Sequence, residues 1–492
     1  MVNASYDASG SYIAIYDQAA FDASAGVDGT ATYAGADFGF IIVAAVLVMI
    51  MAPGVGFLYS GLLRRKNALS MLFLAIAVYS VAAIQWFFWG YSLTFGEGSA
   101  FIGNLKHFGL MNVLDAPSAG SDKIPALVFA FYQSMFAGVT PVIVIGGFAE
   151  RARILPILVV TFAWATLVYN PVACWTWSPT GWAYIQGVLD FAGGGPVHMT
   201  SGTASLIWSL YLGKRRGYGT SKLAYRPHSV SHVIIGTTLL WFGWFGFNGG
   251  SELAMNLRTA QACIVTNIAA AMGGLTWLIM DYIYTGKYSA VSLCSGVVAG
   301  LVGITPAAGF VGAPAALAIG LLAAIGANYG TGIKVLLKID DAVDGFALHG
   351  VGGFIGSICT ALFADSRVAG FDGYTEITGG WINHNYEQLG WQLAGSVATV
   401  AYTAVMTYII LFIVDHIPGL KLRSSEEAEI LGIDETELGE TGYDFVYLRR
   451  DLESPEEHAD WKAGGGASTA VHSNSSQEKV DKSSPAPATE SV

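Results

Sequence analysis

The stretch Asp190-Phe-Ala-Gly-Gly-Gly-Pro-Val-His198, running on as Met-Thr-Ser-Gly202, sets a carboxylate, three glycines and a histidine at the head of a long apolar segment. A second stretch, Asp344-Gly-Phe-Ala-Leu-His349-Gly-Val-Gly-Gly353, repeats the theme. Ionisable groups at membrane depth are costly and usually face a cavity or one another. Two histidines in two different apolar segments therefore point to the lining of a pore, and the rest of the chain is read for whether it builds one.

Of the 492 residues, 53% are hydrophobic and only 12% are charged, whereas a soluble domain of this size carries roughly a quarter charged residues. This is the composition of a polytopic membrane protein. The net charge of -12 comes largely from the first 40 residues and from the segment after Arg423, so it says little about a substrate. No basic patch of the kind a nucleic-acid binder needs is present. Cys174, Cys263, Cys294 and Cys359 all lie in apolar segments without metal-ligand spacing and are read as small packing residues.

A helix needs about 20 apolar residues to cross a bilayer. Eleven stretches qualify, from Phe38–Leu62 to Leu389–Ile413; the fifth begins at Phe191 and the tenth at Phe346, and the eighth and ninth (Ala290–Ile304 and Ala313–Asn328) are short and glycine-rich. Loops after the odd-numbered stretches hold fifteen lysines and arginines, from Arg64 to Arg423, against four on the other side: Lys106, Lys123, Arg258 and Arg367. The positive-inside rule then puts the amino terminus outside and the carboxyl tail in the cytoplasm. The expected fold class is an all-α polytopic membrane protein with eleven transmembrane helices. The two histidines fall in spans 5 and 10. Because five is odd, a second five-span unit enters the membrane upside down, which predicts an inverted five-plus-five repeat with a final helix added. Residues 1–36 are then an extracellular segment, 37–415 the membrane domain, 416–448 a cytoplasmic regulatory segment and 449–492 a disordered tail, rich in Ser, Glu and Pro. Asn3-Ala-Ser5 is an outward-facing glycosylation sequon, and Ser454, before Pro455-Glu-Glu457, is a candidate phosphosite for a kinase acting on the tail.

Most lone buried histidines are core residues, but two at matching places favour a shared site. Neutral imidazole donates on one nitrogen and accepts on the other, so a pair forms a polar rail that suits a small hydrogen-bonding molecule or a relayed proton. A metal is the weaker alternative: zinc wants three or four ligands, and no third histidine or cysteine lies near in sequence. Asp190 reads as an N-cap whose carboxylate accepts from the Gly193–Gly195 amides, with direct attraction of a cation as the rival reading. Trp175, Trp177, Trp241, Trp244, Phe245 and Phe247 fit an interfacial aromatic belt, although a tryptophan face also attracts a small cation. Phe131, Tyr132 and Phe136 fit lipid or core equally well. No nucleophile–base set and no cofactor motif argues for an enzyme.

Together with Gly243-Trp-Phe-Gly-Phe-Asn-Gly-Gly-Ser251, Pro53-Gly-Val-Gly-Phe-Leu-Tyr-Ser-Gly61, Glu150-Arg-Ala-Arg153 and Gly303-Ile-Thr-Pro-Ala-Ala-Gly309, these stretches give a resemblance. The sequence resembles the Amt/Mep ammonium transporters, the fungal high-affinity permeases most of all, from about Ala36 to Tyr443. The resemblance implies a plasma-membrane homotrimer with one pore per subunit and no cofactor. Ammonium is the implied substrate and methylammonium its analogue. His198 and His349 match the twin pore histidines, Trp177 and Ser251 the ammonium-recruiting residues, Phe136 and Phe247 the stacked gate, and Asp190 the structurally essential aspartate. Ile430–Tyr443 looks like the docking motif of the tail but lacks the histidine of the commoner bacterial pattern. Three rivals carry their own signatures. A sensor would signal through the tail, an ion-coupled amino-acid transporter would need charge partners for a zwitterion, and a gas or water channel would need no outer cation site.

Overall fold

The computed structural model describes residues 33–220 and 227–443, and the backbone of two short strands near the amino terminus. The strands, Val2–Tyr6 and Tyr12–Tyr16, pair as an antiparallel hairpin, which the reading of residues 1–36 as a polar segment did not include. Tyr-Ile-Ala-Ile-Tyr has the aromatic and β-branched content of a strand, but a five-residue run is too short to stand out from a polar background.

The remainder of the described chain is helix and loop. Nine helical stretches are long and apolar enough to cross a bilayer. They are α1 (Gly35–Leu62), α2 (Arg65–Phe95), α3 (Ala126–Phe148), α4 (Ile154–Ile185), α6 (Val230–Gly250), α7 (Leu257–Thr285), α9 (Ala313–Leu337), α10 (Phe346–Phe363) and α11 (Glu387–His416). Between them lie α5, which is Gly194–Met199 continued by Thr200–Leu212, and the shorter apolar helix α8 (Ala290–Ile304). Apart from the amino-terminal hairpin, the described chain is thus the helical body of a multi-pass membrane protein. The ninth apolar stretch does not end at Asn328: α9 runs on to Leu337, where Lys338 closes it in the left-handed conformation (φ 56°). Hydropathy fades at Thr331 and Lys334, but helix propensity does not.

Local sequence shapes the helices that matter for the site. α1 is interrupted at Ile50, three residues before Pro53, whose missing N–H and bulky ring disfavour an unbroken helix. Gly194–Met199 and Phe346–Val351 are π-helical turns, and each carries one of the two histidines. Wide turns of this kind recur at functional sites. α5 and α10 touch backbone to backbone: a Cβ on Gly202 would lie 2.2 Å from the Gly350 nitrogen, and one on Gly353 would lie 2.9 Å from the Gly194 carbonyl. Both glycines follow their histidine by four residues, one turn along the same face. Glycine at each crossing is therefore what lets the two imidazoles meet.

Charges gather at one face, which also carries the end of the described chain. Glu150 pairs with Arg64 (2.9 Å) and Arg215 (2.8 Å), and Asp340 pairs with Arg215 (2.7 Å) and Arg151 (3.2 Å). Burial alone would push the Glu150 carboxyl up, but Arg64 and Arg215 outweigh it and hold it down at about 2. The segment after Arg423 packs on this face. It forms α12 (Glu426–Leu431) and a wide turn, Asp434–Leu438. Asp434 accepts from the Leu69 and Ser70 amides at 3.0 and 2.7 Å, capping the start of the helix there. Lys66 donates to the Ile430 carbonyl (2.7 Å), the Ile433 amide to Asn67 (2.9 Å), and the Arg216 amide to Glu429 (2.8 Å). We call this the tail face.

Candidate functional site

His198 and His349 meet near the middle of the helical body, with Nδ1 to Nδ1 at 3.2 Å and ring centroids 5.3 Å apart. Both are buried. A hydrogen bond between two Nδ1 atoms requires one ring to hold its proton there and the other to hold it on Nε2. With both rings neutral, the pair presents one Nε2 acceptor and one Nε2 donor, an arrangement that suits a small molecule able to do both. Nε2 of His198 has no partner among the described residues. It borders a cavity walled by Val55, Leu58, Val139, Ile143 and Leu240, with Tyr59, Trp244, Phe247 and His349 completing it. Among the described residues no metal-binding group of three or more His, Cys, Asp or Glu side chains forms.

Above the pair, away from the tail face, stand the aromatic side chains. Phe136 on α3 and Phe247 on α6 stack with centroids 4.3 Å apart and planes at 29°. Phe247 also stacks on His198 (5.9 Å, 28°), as does Trp244 (5.3 Å, 21°). Trp177 meets Phe136 edge-on (5.9 Å, 87°) and donates Nε1–H to the Asp190 carbonyl at 3.0 Å. Ser251 Oγ donates to the Phe247 carbonyl (2.8 Å) and lies 3.3 Å from the Tyr132 hydroxyl. A passage along this line is closed by two full rings and lined by almost nothing polar except the histidines.

Asp190 holds the entry to α5. Its Oδ1 accepts from the Gly193 and Gly194 amides (2.8 and 2.7 Å) and its Oδ2 from Gly195 (2.7 Å). Gly193 has φ +116°, a conformation that other residues rarely adopt. Three charge-assisted bonds to one carboxylate thus fix the turn that aims His198. The counterpart on α10 is not the Asp344 that opens the second sequence stretch. Asp344 sits at φ 59° and pairs with Lys334 (2.6 Å), whereas Asp341 Oδ2 accepts from the Phe346 amide at 3.0 Å. Asp341 precedes His349 by the same eight residues that separate Asp190 from His198. That spacing was the available signal, and the nearer aspartate obscured it.

The structure therefore brings together Trp177, Ser251, Phe136, Phe247, Asp190, His198 and His349. Asn3 lies apart, in the first strand of the hairpin, and Ser454 lies outside the described residues. Two neighbours named in the sequence were given no role at the site. Tyr132, one turn before Phe136, donates its hydroxyl to the carbonyls of Phe247 (2.8 Å) and Gly246 (3.0 Å), tying α3 to α6. Trp244, read as part of an aromatic belt, is 1% exposed and donates to Thr305 (3.0 Å). Helical spacing puts Trp244, Phe247 and Ser251 on one face of α6, which would have identified it.

Comparison with known proteins agrees with this arrangement. Ammonium transporter 1 of Schizosaccharomyces pombe is 50% identical over 425 residues, 86% of this chain and 84% of that protein. Ammonium transporter MEP2 of Saccharomyces cerevisiae is 46% identical over 465 residues, 91% and 93% of the two chains. The crystal structure of Candida albicans Mep2 superposes with a TM-score of 0.77 at 51% identity, covering 80% of this chain and 87% of that one. The family model described as Ammonium Transporter Family matches residues 39–443, and with that span covered this chain belongs to the ammonium transporter family.

Proposed function

We propose that this chain imports ammonium through a pore of its own, and that the cation sheds its proton at the aromatic gate before the neutral base crosses. The observation that carries this reading is the imidazole pair, Nδ1 to Nδ1 at 3.2 Å, behind the Phe136–Phe247 stack. A bare cation in an apolar tube is costly by many kcal/mol, whereas ammonia gives up little by leaving water for a donor and an acceptor. Trp177 and Ser251 form the recruiting site, where a ring face and an oxygen attract ammonium. His198 and His349 then pass ammonia along. Selectivity follows from chemistry: potassium has no proton to lose. Uptake of labelled methylammonium by cells lacking their own transporters tests the activity. Potassium entering at a comparable rate would end the deprotonation step.

The same reading includes eleven spans, with α5 and α8 completing the nine long helices, and an inverted five-plus-five repeat with α11 added. Support comes from the two π-turns, the glycine four residues after each histidine and the equal aspartate spacing. The tail face is cytoplasmic by the positive-inside rule, so residues 1–36 are extracellular and Asn3 is open to glycosylation. The working unit is a plasma-membrane homotrimer. Residues 416–448 regulate it from inside, and 449–492 carry a kinase site at Ser454.

A second reading, an ammonium sensor signalling through the tail, has a specific observation behind it. Five hydrogen bonds tie residues 429–434 to the loops and helix starts of the tail face. Truncation after Tyr447 that keeps uptake but ends signalling supports a dual role.

A further inference from the structure

A charge cluster begins one residue after Ser251, in the connection between α6 and α7. Arg258, in the first turn of α7, faces two carboxylates at once: its Nη1 lies 3.2 Å from Glu252 Oε2 and 3.0 Å from Asp372 Oδ2, with all three charged side chains almost wholly enclosed. The guanidinium cannot swing away. Its Nε donates to the Gly309 carbonyl (2.8 Å), its Nη1 also donates to Thr375 Oγ1 (3.0 Å), and it stands 5.1 Å from the rings of both Phe191 and Phe310. Phe191 adjoins Asp190, whose carbonyl holds Trp177. The cluster thus abuts both halves of the recruiting site. Two enclosed carboxylates on one cation cannot both ionise without cost, and their bonding decides which one yields. Asp372 Oδ1 accepts from the Tyr374 and Thr375 amides at 3.0 and 2.8 Å. Glu252 has the Asn256 amide at 2.9 Å and the Tyr374 hydroxyl at 3.5 Å on Oε1, and no hydrogen bond on Oε2 among the described residues. Burial accordingly pushes the Glu252 carboxyl up to about 7. Burial acts on Asp372 too, but its bonds to Thr375 outweigh it and hold that carboxyl below the usual range. Further charges around the cluster are Lys123, which stands over the Tyr374 ring (5.1 Å) and pairs with Asp122 (3.2 Å), and Asp37, which accepts from the Met255 amide (2.7 Å).

We infer that Glu252 sets how strongly the outer site draws in ammonium: protonated, it leaves the Glu252–Arg258–Asp372 cluster neutral; ionised, it adds one negative charge beside Ser251. The residue acts through its field and not by contact with the ion, and an enclosed charge is little screened by salt. Arg258 and its two flanking rings keep the cluster in place through the change, so what varies is charge and not shape. This inference rests on Trp177 and Ser251 being the recruiting site and deepens that reading, because it makes capture of the cation, but not its passage along the histidines, depend on the pH outside.

Half-saturation as a function of pH tests it. Initial uptake of labelled methylammonium, which stays protonated throughout, is measured between about pH 5.5 and 8 in cells expressing the full chain and lacking other ammonium transporters. In the wild type the half-saturating concentration falls about fivefold as pH rises, the size expected of one added charge acting through partly hydrated protein. Glu252→Gln holds it at the acid value at every pH. Asp372→Asn takes away the competing carboxylate, so Glu252 ionises in more acid solution and the fall moves to lower pH; a merely structural clamp would not shift it. That second variant decides the matter if Glu252→Gln fails to reach the membrane. A wild-type value independent of pH, a fall that survives Glu252→Gln, or a fall that Asp372→Asn leaves where it was overturns the inference. Wild-type cells that take up no methylammonium overturn the transport reading instead.

Discussion

The histidine cavity and the tail face bury polar groups equally deeply and treat them in opposite ways. Around His198 and His349 the wall is apolar and the two rings satisfy mainly each other, leaving Nε2 of His198 without a partner. At the tail face, Arg151, Arg215, Glu150 and Asp340 are as fully enclosed, but every one is charged and paired. The lesson is one of function against integrity. A site that must exchange a passing molecule needs uncharged groups with spare valence. A site that must hold loops together uses charges whose partners never leave.

The largest expected effect comes from breaking the paired side. Arg215→Ala leaves Glu150 and Asp340 buried with a cation removed, costing about 3–5 kcal/mol; a collapse in thermal stability of the purified protein checks it. Double replacement of Arg215 and Asp340 by apolar residues of similar volume is milder than Arg215→Ala alone if enclosure, rather than pairing, dominates.

Next is the exchanging side. His198→Ala removes half of the rail and lowers methylammonium uptake about a hundredfold, roughly 2.7 kcal/mol, with the protein still at the membrane. Full uptake by this variant would refute the role assigned to the ring.

A third test uses a group that fits neither pattern cleanly. Glu252 follows Ser251 and shares Arg258 (3.2 Å) with Asp372 (3.0 Å). Burial outweighs Arg258, and the Glu252 carboxyl is pushed up to about 7. Its folded-state value lies above its unfolded one, so the folded protein binds the extra proton. Its stabilising contribution is present below about pH 4.5 and is lost as pH rises through about 7, on the order of 3 kcal/mol. Glu252→Gln flattens that part of a melting profile; an unchanged slope excludes Glu252 as its source. Glu150 behaves in the reverse sense, because its value is depressed to about 2. Its contribution is complete at neutral pH and fails only in strong acid.

The smallest effect tests the tail. Asp434→Ala removes the acceptor for the Leu69 and Ser70 amides and loosens the segment by about 1 kcal/mol. Faster proteolysis between residues 424 and 443, with the membrane body intact, is the expected result.

Much of this was legible in the chain alone. Membrane residence follows from one-dimensional properties: long apolar runs and few charges. His198 and His349 also stand out there, because ionisable residues inside such runs are conspicuous without any knowledge of packing. Helical spacing also held information that went unused, at Trp244 beside Phe247 and at Asp341 eight residues before His349. What the tertiary structure alone decided is which distant groups meet. No local rule connects Tyr132 to the carbonyls of α6, Arg215 to Glu150 and Asp340, or Gly202 to Gly350, because each contact depends on how separate helices cross. A sequence determines what its side chains can tolerate around them; only the packed fold determines which of them share a bond, and which are left with an atom to spare.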